Sequence, residues 1–244
     1  LHALSQSDAA PRAGGGALTI LADPVFAADD PRLAGAPTRA SGNRQSAPPD
    51  AEPLRRLPWS GREAERIAEL FADDRVRLRL GFEAGADNLA PGALGDAELL
   101  HIATHSVVND RHPELSGLAL SAWTRDGRAR EGFLGLPKIF ELELDADLVT
   151  LSACRTALGQ SLRGEGLLGL SQGFFAAGAR RVLVSLWDVD DRATSEWMGH
   201  FYTALAGGAG PTEAVSVAHR QMRRDPRWAA PFYWAGFVLM GDPR

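Results

Sequence analysis

Two apolar runs end on residues that can do chemistry together. Leu99-Leu100-His101-Ile102-Ala103-Thr104-His105 finishes on an imidazole, and Leu148-Val149-Thr150-Leu151-Ser152-Ala153-Cys154 finishes on a thiol. Both read as strands, and in open α/β sheets reactive groups gather at the carboxyl ends of strands. If the two strands are parallel neighbours, His105 and Cys154 stand side by side at one sheet edge. A thiol next to an imidazole loses its proton near neutral pH, and the thiolate attacks a carbonyl carbon. The imidazole then returns the proton to the leaving amine. The competing reading is bland: a cysteine in an apolar strand is also a small core residue.

The rest of the chain has to position that pair. Ala17-Leu18-Thr19-Ile20-Leu21-Ala22 reads as a short buried strand closed by Asp23-Pro24. Residues 27–58 carry Pro31, Gly35, Pro37, Gly42, Pro48, Pro49, Pro53 and Pro58, a density that forbids a regular element and predicts a flexible insert. Ser60 is the expected cap of a helix over 62–71, with Ile67, Leu70 and Phe71 on one face. Residues 76–82 alternate as a strand, and 117–123 is a further strand candidate. A short helix is expected near 136–142 and a longer one over 164–178. Residues 181–189 read as a strand, 191–205 and 211–224 as helices (Pro211 suitably early), and 234–240 as a closing strand. Strands alternating with helices, with runs apolar on both faces, predict an α/β fold around a mostly parallel sheet.

Composition narrows the function. The chain has 244 residues, 45% hydrophobic and 23% charged, enough for one domain with a sizeable core. A net charge of −5 argues against a whole-protein basic surface for nucleic acid. No run approaches the roughly 18 apolar residues of a membrane span. Cys154 is the sole cysteine, so an internal disulfide is impossible and a reducing, cytoplasmic compartment is favoured. Lys138 is the sole lysine; Arg-dominated cations with abundant Ala and Gly point to a high-GC genome. The chain starts at Leu1 without Met, and is expected to be part of something longer.

Several patterns imitate other sites. Gly169-Leu170-Ser171-Gln172-Gly173 fits the G-x-S-x-G elbow of serine hydrolases, but the flanking apolar spacing is helical where the elbow needs a strand. Gly164-x-Gly166-x-x-Gly169, with Asp188 19 residues on, fits a dinucleotide fingerprint, yet residues 155–163 separate it from the preceding strand. His101 shares the face of His105 four residues deeper along the run and reads as a hydrogen-bonded core histidine. One cysteine and scattered histidines offer no spaced metal-ligand set, so neither metal nor cofactor is expected. His112, His200 and His219 have no site logic, and the arginines of 220–227 read as a solvated helix end.

The local sequences also resemble a known family. His101-Ile102-Ala103-Thr104-His105 followed by Leu115-Ser116-Gly117-Leu118-Ala119-Leu120 is similar to the histidine block of CHAT domains. Leu151-Ser152-Ala153-Cys154-Arg155-Thr156-Ala157-Leu158-Gly159, then Gly164-Glu165-Gly166-Leu167-Leu168-Gly169-Leu170, resembles their cysteine block. Matches continue through Phe175–Val182, Ser185–Asp191 and Trp234–Gly241. The resemblance implies a single caspase-like domain over 1–244, truncated at its amino end: a sandwich of a mostly parallel β-sheet flanked by helices. It implies a cysteine endopeptidase of protein substrates, distantly related to caspases and separases. In bacteria such domains are attached to tetratricopeptide repeats, so a repeat-bearing chain or regulatory partner is implied. His105 matches the catalytic histidine and Cys154 the nucleophile, acting through a thioester. The family places Gly directly after that histidine, where its N–H serves the oxyanion hole with that of the cysteine; here the residue is Ser106. Ser keeps the N–H but adopts a positive φ less freely. That departure sustains the alternative of a catalytically impaired interaction scaffold.

Specificity is expected from the acids that close the strand over 181–189. Asp188 and Asp191 are candidates for binding a basic P1 side chain, as in related separases. The plainer reading of Asp190 or Asp191 is as the cap of the helix that follows, and for Asp191 the two roles need not exclude each other.

Overall fold

The computed structural model describes residues 17–34, 54–90, 92–94, 97–109, 112–152, 154–157 and 165–242, with the backbone alone described for 113, 154–157 and 165–166. Its centre is a six-stranded sheet in the order β10-β9-β7-β3-β1-β2. The strands are β1 (Ala17–Ala22), β2 (Val76–Leu80), β3 (Ala97–Ala103), β7 (Leu148–Leu151), β9 (Arg181–Ser185) and β10 (Phe237–Gly241). All neighbours pair parallel except β10, which returns antiparallel on β9. A second sheet of four short strands has the order β6-β5-β4-β8. It contains β4 (His105–Val108), β5 (Gly117–Ala119), β6 (Phe133–Gly135) and β8 (Cys154–Ala157).

The pleat sends alternate residues to opposite helical layers. Leu18, Ile20, Ala22, Ala103, Leu148 and Leu183 meet α1 (Pro58–Ala68), α4 (Asp191–Ala206) and α5 (Pro211–Arg224). Leu21, Leu100, Ile102, Val149, Leu151, Val182 and Val184 meet α2 (Leu136–Phe140) and α3 (Glu165–Ala176). Trp197, Phe201 and Phe237 lie fully inside the first layer, with Trp197 stacked on both other rings. Each such side chain contributes about 1.5–3 kcal/mol by leaving water. The expected mostly parallel α/β sandwich is therefore what forms.

The differences are local and physical. The apolar runs over 99–105 and 148–154, each expected to be one strand, both break before their last residue. Thr104 is a bend whose hydroxyl donates to the Ala119 carbonyl in β5, and Ser152 N–H donates to Ile102 O at 3.0 Å. Beyond those points the chain enters the small sheet, so His105 opens β4 and Cys154 opens β8. Helix α1 begins at Pro58, ahead of Ser60. Proline holds the first helical turn, where its missing N–H costs nothing, and Ser60 instead bonds the chain behind it. Within the stretch read as featureless, Asp30 caps a 3-10 turn, Pro31–Leu33, and Leu33 is buried with Val25, Ala122 and Trp123. Residues 35–53 of that expected insert, and Gly164 of the glycine pattern, lie outside the described residues. The strand over 181–189 stops at Ser185, whose hydroxyl donates to the Trp187 carbonyl at 2.7 Å and turns the chain. Between α3 and β9, Gly178 has φ 114°, and a Cβ there would collide with the Leu144 carbonyl.

Candidate active site

The two residues expected to form the dyad are paired in register on adjacent strands. β3 pairs with β7 as Ile102↔Leu151, and beyond the breaks β4 pairs with β8 as His105↔Cys154. Both ladders are parallel and share one offset, so the geometry set in the main sheet is carried into the small one.

His105 is 6% exposed. Its Nε2 donates to the backbone carbonyl of Arg55 at 2.6 Å, and Phe26 packs on the ring with centroids 5.3 Å apart. A carbonyl can only accept, so this bond puts the proton on Nε2 and the lone pair on Nδ1. Nδ1 is buried and has no hydrogen-bond partner among the described residues. Burial pushes the imidazole below the usual histidine range, with the Arg55 carbonyl pulling part of the way back. A neutral ring with its free lone pair on a fixed atom is the state a general base needs.

Ser106 is buried, paired in register with Leu118 and Arg155. Among the described residues Asp23 is the non-glycine with positive φ, so Ser106 has ordinary strand backbone, and the strain feared for a non-glycine there is not incurred.

The acids divide. Asp190 caps α4, its Oδ1 accepting from Arg192 N at 3.1 Å and Ala193 N at 3.0 Å. Asp191 Oδ2 reaches across to α1 and accepts from Trp59 N at 3.0 Å. Desolvation pushes its carboxyl up to about 6; the Trp59 N–H opposes this, and the charges of Glu63, Asp190 and Asp23 add to it. Asp188 is exposed at the turn out of β9.

The patterns that imitate other sites resolve as structure. Ser171 lies in α3 and donates back to Leu167 O at 3.0 Å, away from any strand end. His101 is fully buried, donating from Nε2 to Glu63 Oε1 at 2.9 Å. The Tyr202 hydroxyl lies 3.1 Å from its Nδ1 and 3.0 Å from Thr150 Oγ1. Among the described residues no group of three acids, histidines or cysteines is arranged to hold a metal ion, and no helix is long and apolar enough to cross a membrane.

A family comparison decides what the chain is: the model for the CHAT domain matches residues 2–242. The chain is a CHAT domain. Among curated proteins, tetratricopeptide repeat protein 28 of Mus musculus is 34% identical over 113 residues, covering 46% of this chain and 5% of its own length. The Homo sapiens protein of that name is 31% identical over 113 residues, covering 46% and 4%. The CHAT domain thus spans about one-twentieth of the length of these relatives. Among solved structures, the Arg-specific cysteine proteinase gingipain R aligns with 95% of the CHAT domain and 46% of its own chain, at TM-score 0.51 and 11% identity. That likeness is one of fold, and the fold is the caspase-like sandwich.

Sequence reasoning missed two contributors. The carbonyl that holds His105 belongs to Arg55, and a backbone acceptor has no residue type to betray it. Asp23 directly follows β1 at the carboxyl end of the main sheet, the end from which the chain runs on to His105 and Cys154, a position that was a signal, although Asp23-Pro24 read merely as a strand terminator.

Proposed function

We propose that this CHAT domain is a cysteine endopeptidase working through His105 and Cys154. The observation that carries the reading is the register pair His105↔Cys154 beside a histidine whose Nε2 is tethered and whose Nδ1 lone pair is unpartnered among the described residues. Residues in register on adjacent strands share a sheet face with their backbones about 4.8 Å apart, a separation from which two side chains can close to the roughly 2.6–3.2 Å that proton transfer requires. Nδ1 takes the thiol proton, and the thiolate attacks the scissile carbonyl. Collapse expels the amine, which leaves with the proton from the imidazolium, and water then hydrolyses the thioester.

The backbone N–H groups of Ser106 and Cys154 are the proposed oxyanion donors. Asp188, exposed at the β9 exit, is proposed to meet a basic P1 side chain, with the ionised Asp191 adding negative potential from behind. The substrates are proteins, the compartment is the cytoplasm, and attached repeats or a partner regulate access, a reading the tetratricopeptide repeat relatives support.

The burial of His105 and Ser106 favours one second reading, a non-catalytic interaction scaffold on the same fold. Covalent labelling separates the two. A peptidyl acyloxymethyl ketone is expected to modify Cys154 in the wild type and to react at least 100-fold more slowly in His105→Ala, because such groups act as a unit. Labelling that ignores His105 would leave the scaffold reading standing.

A further inference from the structure

Residues 54–57 lead into α1 as irregular backbone, and from them comes the Arg55 carbonyl that orients His105. Three ties hold that strap. Arg56 donates from Nε to Asp23 Oδ1 at 2.8 Å and from Nη2 to Oδ2 at 2.6 Å, a two-point grip that fixes direction as well as distance. Ser60 Oγ donates to Leu57 O at 2.7 Å and accepts from Asp23 N at 3.1 Å. From the opposite side Asp191 accepts from Trp59 N at 3.0 Å, and the Trp59 ring lies against the guanidinium groups of Arg62 and Arg192.

Both acids are kept at a cost. Asp23 holds φ 49°, a left-handed backbone that suits glycine or asparagine better, and its side chain is 11% exposed. Arg32 Nη1 stands 2.9 Å from the same carboxylate, so two guanidinium groups neutralise it. Asp191 is desolvated beside like charges on Glu63, Asp190 and Asp23. Local rules are broken at functional sites more often than elsewhere, and these two breaches flank the carbonyl that touches His105.

We propose that Asp23 and Asp191 are positioning residues for His105, holding the 54–57 strap and the first turn of α1 behind it so that the Arg55 carbonyl keeps the imidazole oriented with Nδ1 as its basic atom. This rests on the reading of His105 and Cys154 as a dyad. With the strap loosened, the ring turns and exchanges tautomers, and the fraction of time Nδ1 is held as the basic atom falls. A displacement of about 1 Å in such a contact costs about 100-fold.

The test measures the second-order rate of Cys154 alkylation by iodoacetamide, a probe small enough to need no binding subsite, from pH 5 to 9. Variants are His105→Ala, Asp23→Asn, Asp191→Asn and Arg56→Gln, each checked for folding by its melting temperature. Asp23→Asn keeps the size and the tolerance of positive φ while removing the charge. Arg56→Gln removes the two-point grip from a half-exposed side chain and leaves Asp23 paired with Arg32, so it serves even if Asp23→Asn fails to fold. The ionisable groups around Asp191 are Glu63 and Arg62 on α1, Asp190 and Arg192 beside it, and Asp23 with its two arginines. They are unaltered in Asp191→Asn. The expected result is a 10- to 100-fold drop at pH 7 for Asp23→Asn and Arg56→Gln, a smaller drop for Asp191→Asn, and pH profiles moved toward that of His105→Ala. If folded variants keep the wild-type profile while His105→Ala changes it, the positioning role is overturned and the dyad stands. If His105→Ala itself matches the wild type, the dyad falls and takes this proposal with it.

Discussion

Tyr202→Phe tests the buried relay that seats α1. The substitution keeps the ring and its edge contacts with His101, Phe71 and Phe201, so it opens no cavity beyond one oxygen. It removes a hydroxyl that lies 3.1 Å from His101 Nδ1 and 3.0 Å from Thr150 Oγ1, both without exposure to solvent. Burial holds this phenol well above its usual pKa, so it is a neutral hydroxyl throughout the accessible range. Each polar atom left unpartnered costs about 1–3 kcal/mol, partly offset because one hydroxyl no longer has to be desolvated. The expected loss is about 2–4 kcal/mol, on the order of 10 °C in melting temperature for a chain of this size. Urea unfolding followed by tryptophan fluorescence measures it, with a lowered midpoint at unchanged slope. Adding Thr150→Val removes one of the two orphans, so the double variant should lose less than the sum, by about 0.5–2 kcal/mol. A loss under about 0.5 kcal/mol, or strict additivity, would refute the account of a coupled, satisfied network.

Ser106→Gly is expected to lower stability by about 0.5–1 kcal/mol in thermal melts, since glycine loses more freedom in a strand, and to keep His105-dependent labelling because the proposed donor is backbone. Asp191→Asn is expected to raise the melting temperature above pH 6. The folded carboxyl titrates near 6 against about 3.9 unfolded. Its contribution to stability is therefore full at low pH and lost as pH rises through 6, a loss asparagine avoids. The advantage should vanish below about pH 4. His105 acts with opposite sign, because its depressed pKa loses stability as pH falls below the unfolded value of about 6.5, but that cancels between two proteins that share it.

What the sequence revealed follows from what periodicity can carry. The strands ending near His105 and Cys154 are apolar on alternating or both faces, so their existence was readable, while their parallel pairing entered only as a condition that β3 and β7 meet. Helix α5 begins at Pro211 as expected, because proline at a first turn is a residue-type signal. The breaks at Thr104 and after Leu151 were not readable, since the apolar run continues through them and period two looks the same in one sheet as in two. The strap was hidden for another reason: its contribution to the site is a carbonyl, and Arg56 finds Asp23 across 33 residues. His101 and Ser171 could be set aside because chemistry at those places would have needed a strand end, and neither has one.

The shared offset of the two ladders limits how this site can be switched. A slip of one residue between β3 and β7 would turn Leu100, Ile102, Val149 and Leu151 away from α2 and α3, exchanging buried faces along the whole strand. Since β4 and β8 inherit that alignment, the histidine and cysteine cannot drift apart by small steps. The main sheet behaves as a gauge with one stable setting, and evolution or ligand binding has little purchase on it. What remains adjustable is the imidazole, held from outside the sheet by a short piece of irregular chain. On the proposed reading, control would act through whatever grips or releases that chain, while the backbone register of His105 and Cys154 stays constant in every state that keeps its core.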